Sequence, residues 1–436
     1  MTDLSALFRD HLAARQGTTA EALTRTGYDA LVISSGKVYT HFADDQDAPF
    51  HPTPHFAHWC PMAGPHHLLV VRPGQRPRLI RFAPEDFWYE QAPLGSPFWA
   101  AAFELEEVGT VEEAWKRLGP LGRVAYIGNE TDRAEAAGFD LNPALLTAHL
   151  DWHRTTKSAY EVHCIEEATA VAARGHQAAR AAFLAGASEL EIHHAYVQAA
   201  GIVDHDMPYG SIVALDEKGA ILHYEGKRTL RDGSVLLIDA GAQVRGYAAD
   251  ITRTMAAPRC DPRFAALIDG MEAIELRLCD LVKPGLAYGD LHHQGHLLIA
   301  GLLKEQDILR ADPEEAVELG LSRPFFPHGL GHHLGIQVHD VAGRQGAPDG
   351  TPAPPPPQHP TLRTTRTIDA DQVFTVEPGL YFIPMLLRPF RENGHRGKFN
   401  WPLIDALTPC GGIRIEDNLL VTTGGHRNLT RPHLPH

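Results

Sequence analysis

Three apolar runs, far apart in the chain, each end on an acid. Ser234-Val-Leu-Leu-Ile-Asp239, Val373-Phe-Thr-Val-Glu377 and Gly412-Ile-Arg-Ile-Glu416 read as buried strands, because aliphatic and β-branched residues run on without a break between turn-forming neighbours. A further acid, Asp250, follows Asp239 across a turn that holds Gly241 and Gly246. If that segment is a hairpin, Asp239 and Asp250 lie side by side. Carboxylates gathered in a low-dielectric interior repel one another and lose their hydration, which is tolerable only if protons or cations neutralise them. Hard divalent metals do this, since carboxylate oxygens are their preferred ligands. The alternative is that each acid caps its own strand at the surface.

A histidine segment narrows the choice. Pro327-His-Gly-Leu-Gly-His-His-Leu-Gly335 precedes Val338-His-Asp340. His328 and His332 have the spacing of a helical metal pair, but Gly329, Gly331 and Gly335 disfavour a regular helix and predict a loop whose backbone approaches a ligand closely.

The rest of the chain frames this cluster. Its 436 residues exceed what one core ordinarily organises, which predicts two domains with a boundary near Asp151 to Ser158. In the first, Met1 to Gln16 reads as an amphipathic helix and not a secretory signal. Ala30 to Ser34, His67 to Val71, Arg78 to Phe82 and Arg123 to Ile127 read as strands, the middle two joined as a hairpin. The stretch from Asp44 to Pro61, rich in Pro, His and aromatics, reads as an ordered loop and not a core element. Beyond the boundary, a long helix is expected over Ser158 to Leu184, stopped by Gly186. A capping box, Ser188 with Glu191, starts another through Ala200. Helices are expected over Pro262 to Val282 and Gly289 to Leu303. Four prolines at 354 to 357 mark a polyproline loop.

Composition excludes some partners. The formal charge of −15 repels nucleic acid and anionic membranes. No apolar run reaches the roughly 18 to 20 residues that span a bilayer. Cys60, Cys164, Cys260, Cys279 and Cys410 are scattered and form no CxxC pair, which predicts a reducing, cytoplasmic setting without disulfides or a structural zinc cluster. The 27 histidines are more than one site can use, so most are expected on the surface or in loops.

Five segments now carry a specific resemblance: Leu237-Ile-Asp-Ala-Gly241, Ala249-Asp-Ile-Thr-Arg253, Pro327-His-Gly-Leu-Gly-His332, Val376-Glu-Pro-Gly379 and Gly412-Ile-Arg-Ile-Glu416. In order and spacing they resemble the metal-ligand motifs of the pita-bread metallopeptidases, and within them the bacterial Xaa-Pro dipeptidases (prolidases) and the related organophosphorus acid anhydrolases. The resemblance runs nearly end to end and includes Asp44-Asp-Gln-Asp47 and Pro54-His-Phe56. It implies an α/β N-terminal domain over residues 1–155 and an α+β pita-bread catalytic domain over residues 158–436. It implies two divalent metals held by Asp239, Asp250, His332, Glu377 and Glu416, with Asp250 and Glu416 bridging; one histidine among four carboxylates suits Mn²⁺, with Co²⁺, Zn²⁺ or Fe²⁺ as alternatives.

The implied activity is hydrolysis of dipeptides ending in proline by metal-activated water, with phosphotriester hydrolysis as a side activity. Glu377 is then the base. His339, His223 and Arg414 assist catalysis, and Arg414 orients Glu416 or another catalytic group. Arg363 anchors the proline carboxylate, and Tyr209, Tyr381 and His328 line the pocket. Asp45, with Asp44 and Asp47 as neighbouring candidates, reaches in from the partner of a homodimer. Two other readings stay open here: an aminopeptidase P acting on longer Xaa-Pro peptides, and a non-catalytic peptide-binding module, which the complete ligand set disfavours.

Overall fold

The structure is a computed structural model that describes residues 3–435 apart from 92 and 232, so the first two residues of the expected N-terminal helix lie outside the described residues. The chain forms two compact units, one of residues 1–154, 158–161 and 346–352, the other of the remainder.

The first unit opens with α1 (Leu4–Thr26), which runs ten residues beyond the expected end at Gln16. Asp3 accepts a hydrogen bond from the Ala6 N–H at its start, and Gly27, at φ 73°, ends it in the left-handed conformation that glycine adopts without strain. Its inner face is Phe8, Leu12, Thr19 and Leu23, at helical spacing. The unit's sheet has six strands: β1 (Ala30–Ser34), β2 (Leu68–Val71), β3 (Arg78–Phe82), β4 (Glu104–Val108), β5 (Val124–Ile127) and β6 (Asp140–Leu141). Their order is β4-β3-β2-β1-β5-β6. The expected hairpin is present, with Leu68 opposite Ile80. β4, which the charged run Glu-Leu-Glu-Glu-Val concealed, lies at an edge parallel to β3.

One expectation fails in this unit. Part of the proline-rich stretch is a helix, α2 (Pro54–Trp59), with Phe56 and Trp59 in the core. Proline at the first helical position is pre-set for the helix and wastes no N–H there, and the aromatic side chains supply the burial that a surface loop lacks.

The second unit contains α6 (Ala159–Leu184), most of which belongs to it, and α7 (Glu189–Ala200), after the short helices α3 (Val111–Arg117), α4 (Thr131–Ala136) and α5 (Ala144–Arg154) of the first. The Ser188–Glu191 capping box is formed in both directions. Three small antiparallel sheets follow. One has the order β11-β8-β7, from β7 (Ile212–Leu215), β8 (Val235–Asp239) and β11 (Thr252–Ala256), with the hairpin β9 (Gln243–Val244) and β10 (Tyr247–Ala248) between β8 and β11. The others are β12 (Val373–Val376) with β15 (Asp417–Thr422) and β16 (Gly425–Asn428), and β13 (Gly379–Tyr381) with β14 (Gly412–Arg414). Against them pack α8 (Pro262–Leu281) and α9 (Tyr288–Glu305), through a core that includes Phe264, Leu278, Ile299, Phe374, Ile413 and Leu419.

Several histidines are buried in neutral form. His67 bonds the Ala63 carbonyl through Nε2 (2.9 Å) and accepts the Phe82 N–H at Nδ1 (3.0 Å), a pairing that only the neutral ring satisfies. Burial lowers His67 and His176 from 6.5 to about 4. The unfolded chain therefore binds more protons than the folded one between pH 6.5 and 4, and stability falls as the pH falls through that window. Each group contributes a slope of up to about 1.4 kcal/mol per pH unit. Thermal melting should show a lower midpoint at pH 5 than at pH 7; an unchanged midpoint would contradict these burials.

Candidate metal centre and substrate cavity

The β-register delivers the acids. Asp239 closes β8 and stands opposite Thr252 on β11. The hairpin between those strands brings Asp250 back beside it. Glu377 directly follows β12, and Glu416 lies between β14 and β15, where its N–H donates to the Thr252 carbonyl (3.0 Å). Two of the acids thus stand just beyond strand ends, not within them.

The glycine-rich segment is a loop, as its glycines predict. It runs beside β12: the Thr375 N–H donates to the His332 carbonyl (2.9 Å) and the Glu377 N–H to that of Leu330 (2.8 Å). Any Cβ on Gly331 would collide with the Thr375 carbonyl and the Tyr288 hydroxyl, so glycine is required for this approach. His332 Nδ1–H donates to the His333 carbonyl (3.0 Å), which leaves the Nε2 lone pair facing the acids. Nε2 lies 3.4 Å from Asp250 Oδ2 and 3.7 Å from Glu377 Oε1. Ligand atoms of Asp250, His332 and Glu416 all lie within 4.8 Å of one another, and all three side chains are buried.

The electrostatics fit cations. Burial, then repulsion from Asp250, Glu377 and Asp239, pushes Glu416 well above the usual carboxylate range. Burial raises Asp239, with Asp250 adding to the rise against Arg414. Burial takes Glu377 to about 7 despite His332 and Arg414. Asp250 alone is lowered, because the hydrogen bond and charge of His332 outweigh its burial. As carboxyl groups alone, the cluster sheds charge by taking up protons. Asp239 Oδ1 and Glu416 Oε1 are moreover buried with no hydrogen-bond donor among the described residues. Orphaned oxygens in a charge-starved pocket, with one imidazole, suit two divalent cations.

From the sequence, Arg414 is expected to orient Glu416 or another catalytic group. Its side chain reaches the cluster through three bonds, none of them made directly to Glu416. Its Nη2 donates to Asp239 (2.6 Å), Nη1 to the Tyr381 hydroxyl (2.8 Å) and Nε to Thr252 Oγ1 (3.2 Å). Thr252 Oγ1 in turn donates to Glu416 Oε2 (2.7 Å). Thr252 therefore couples Arg414 to Glu416. Sequence reasoning missed it, although its position two residues after Asp250, on the strand that pairs with β8, was a usable signal.

These acids open onto a cavity of about 230 Å³ lined wholly by the second unit. Asp239, Asp250, His332, Glu377 and Glu416 line it, with His223, His328, His339, Arg363 and Arg414. Leu222 and Thr361 are unforeseen members. Tyr209 and Tyr381, expected as lining, stand behind the lining residues. Tyr209 donates to Asp250 Oδ1 (2.5 Å), and the buried Tyr381 bonds His328 Nε2 (2.9 Å). Both tyrosines orient a group that reaches the cavity. Asp45 is an exposed residue of the first unit, in a turn where its N–H donates to Asp44 Oδ1 (2.7 Å).

The profile described as "Metallopeptidase family M24" matches residues 163–423, and that described as "Xaa-Pro dipeptidase, N-terminal domain" matches residues 6–152. The chain belongs to metallopeptidase family M24, which implies a divalent metal centre. It is 43% identical to an Xaa-Pro dipeptidase of Pseudoalteromonas atlantica, over 99% of both chains. It is 44% identical to the Xaa-Pro dipeptidase of Pectobacterium atrosepticum, again over 99% of each. Among solved structures, it shares the pita-bread fold of the aminopeptidase PepP of Pseudomonas aeruginosa, with TM-score 0.74 and 23% identity over 98% of this chain and 95% of that one. Proline aminopeptidase P II from Yersinia pestis gives TM-score 0.71 and 24% identity, over 99% and 97%. Among the described residues no helix is long and apolar enough to cross a membrane.

Groups that orient metal ligands typically cost 10- to 100-fold in metal affinity when removed. Thr252→Val keeps the side chain's shape and deletes the link between Arg414 and Glu416. Metal titration of this variant should show affinity reduced by about 10-fold or more, with circular dichroism confirming that the variant is folded. Wild-type affinity would show that the link does nothing.

Proposed function

We propose that this chain is an Xaa-Pro dipeptidase that uses two divalent cations, held by Asp239, Asp250, His332, Glu377 and Glu416, to hydrolyse dipeptides ending in proline. The relatives with that name match it over nearly its whole length. The observation that carries the substrate reading is Arg363. It is exposed at the cavity with no ion-pair partner for its guanidinium among the described residues, so that group is available to a substrate carboxylate.

Bound cations would supply Lewis acidity that activates a water and polarises the scissile carbonyl. The chain's own groups do the rest. Arg363 pairs with the proline carboxylate and so fixes which bond lies over the acids; it also limits the substrate to two residues. The leaving group is the secondary amine of proline, which departs only when protonated. Glu377 accepts the proton of the attacking water and hands it to that nitrogen. His339, whose ring centroid lies 4.4 Å from that of His332, and His223 stand at the cavity wall to hydrogen-bond the developing oxyanion. His328 is fixed by Tyr381 and faces the bound peptide. Arg414 holds Asp239 in place for the metal. In this reading Mn²⁺ suits a site with one imidazole among carboxylates. The protein acts in the cytoplasm, and Asp45 completes the pocket of the second copy in a homodimer.

Asp250→Ala and Glu416→Ala should each abolish both metal retention and Xaa-Pro cleavage; full activity in either variant rejects the dinuclear reading. Arg363→Ala should raise KM for Ala-Pro at least about 10-fold, the scale of one charged hydrogen-bonded pair, with metal content unchanged. Untouched Ala-Pro kinetics would refute the carboxylate anchor. Faster cleavage of Ala-Pro-Ala than of Ala-Pro by the wild type would make the enzyme an aminopeptidase instead.

A further inference from the structure

A second cluster of ligating side chains lies apart from the carboxylates. α9 carries His292 and His296 one helical turn apart, so both point from one face. His359 joins them from the loop that follows the four prolines at 354–357. The ring centroids are 4.8 Å (His292–His296), 4.5 Å (His292–His359) and 4.7 Å (His296–His359) apart. One nitrogen from each ring lies within 4.8 Å of the other two.

The hydrogen bonding of these rings is incomplete. His292 is 2% and His296 1% exposed. Both nitrogens of His292 and Nε2 of His296 lack any hydrogen-bond partner among the described residues. Buried imidazoles ordinarily find partners. His296 Nδ1 is engaged with Ser322 Oγ (3.0 Å), which fixes the ring and leaves Nε2 to face the cluster. The group contains no carboxylate, so ion pairing does not account for three imidazoles packed together. Burial keeps all three rings neutral, the form that ligates a metal without losing a proton.

We propose that His292, His296 and His359 form a further metal site, distinct from the dinuclear centre, for a borderline divalent transition cation of which Zn²⁺ is the type. Three imidazoles are a donor set for zinc, nickel, cobalt or copper and a poor one for the hard cations that carboxylates favour. Zn–N bonds of about 2.0–2.1 Å place tetrahedral donors about 3.4 Å apart, so ligation draws the rings inward from their present spacing. His359, half-buried and on a loop, can make that movement. Its exposed edge also gives the ion a way in and leaves a fourth position for water. No residue is shared with the carboxylate set. Phe326 packs against His292 and His296 on one side and His328 on the other. A bound ion would tie α9 to the loop that leads within four residues to Thr361 and Arg363 at the cavity. Its role is that of a structural staple.

The test compares wild-type protein with His359→Ala and His296→Gln. Each full chain is stripped with a chelator, dialysed against micromolar Zn²⁺ and analysed for zinc, with circular dichroism to check folding. The expected result is one equivalent less zinc in each variant than in wild type, and a zinc-dependent rise in Tm that the variants lose. Equal zinc content in all three proteins overturns the proposal. Wild-type crystals grown with zinc give a reading that needs no variant: an anomalous peak among the three rings supports the site, and density with no peak there overturns it.

Discussion

Mutual repulsion among buried carboxylates is the constraint on which the catalytic unit is built. Asp239, Asp250, Glu377 and Glu416 come from four stretches of chain and meet where water is scarce. Burial first, and then the repulsion of neighbouring acids, pushes protons back onto such carboxylates, as the raised Glu416 and Glu377 record. Divalent cations remove that penalty and turn a destabilising cluster into a tight chelate, so folding of the site and metal binding are linked. The small antiparallel sheets exist, in this view, to hold acids at the ends of short, stiff strands.

The positive groups around the cluster are arranged to assist without competing. Arg414 pairs with one oxygen of Asp239 and leaves the other unpartnered. Thr252 occupies one oxygen of Glu416 and likewise leaves its partner. His332 is held through Nδ1, so Nε2 stays available. Tyr209 and Tyr381 buttress Asp250 and His328 from behind. A scaffold that ties down one atom of Asp239, His332 and Glu416 and leaves the second free is pre-organised for ions.

Much of this was legible in the sequence because the signals are local. Unbroken aliphatic runs gave β8 and β12 within a residue or two, and Ser188 with Glu191 gave the start of α7. The acids stood out because charge at the edge of an apolar run is conspicuous. What stayed hidden depends on partners distant in sequence. β4 is rich in glutamate and is a strand only because it can lie at an edge beside β3. α2 is helical because Phe56 and Trp59 find a core to enter. The pairing of Arg414 with Asp239, 175 residues away, follows from a β-register that no local pattern encodes. A histidine surplus suggests surface and loop positions, whereas several of these rings are interior.

The most direct test of the account is the position and number of metal ions among the carboxylates. Crystals of the full chain grown with Mn²⁺, measured with anomalous scattering, should show two peaks bounded by Asp239, Asp250, His332, Glu377 and Glu416. A fully folded site holding no ion, or a single ion outside those five side chains, would contradict it.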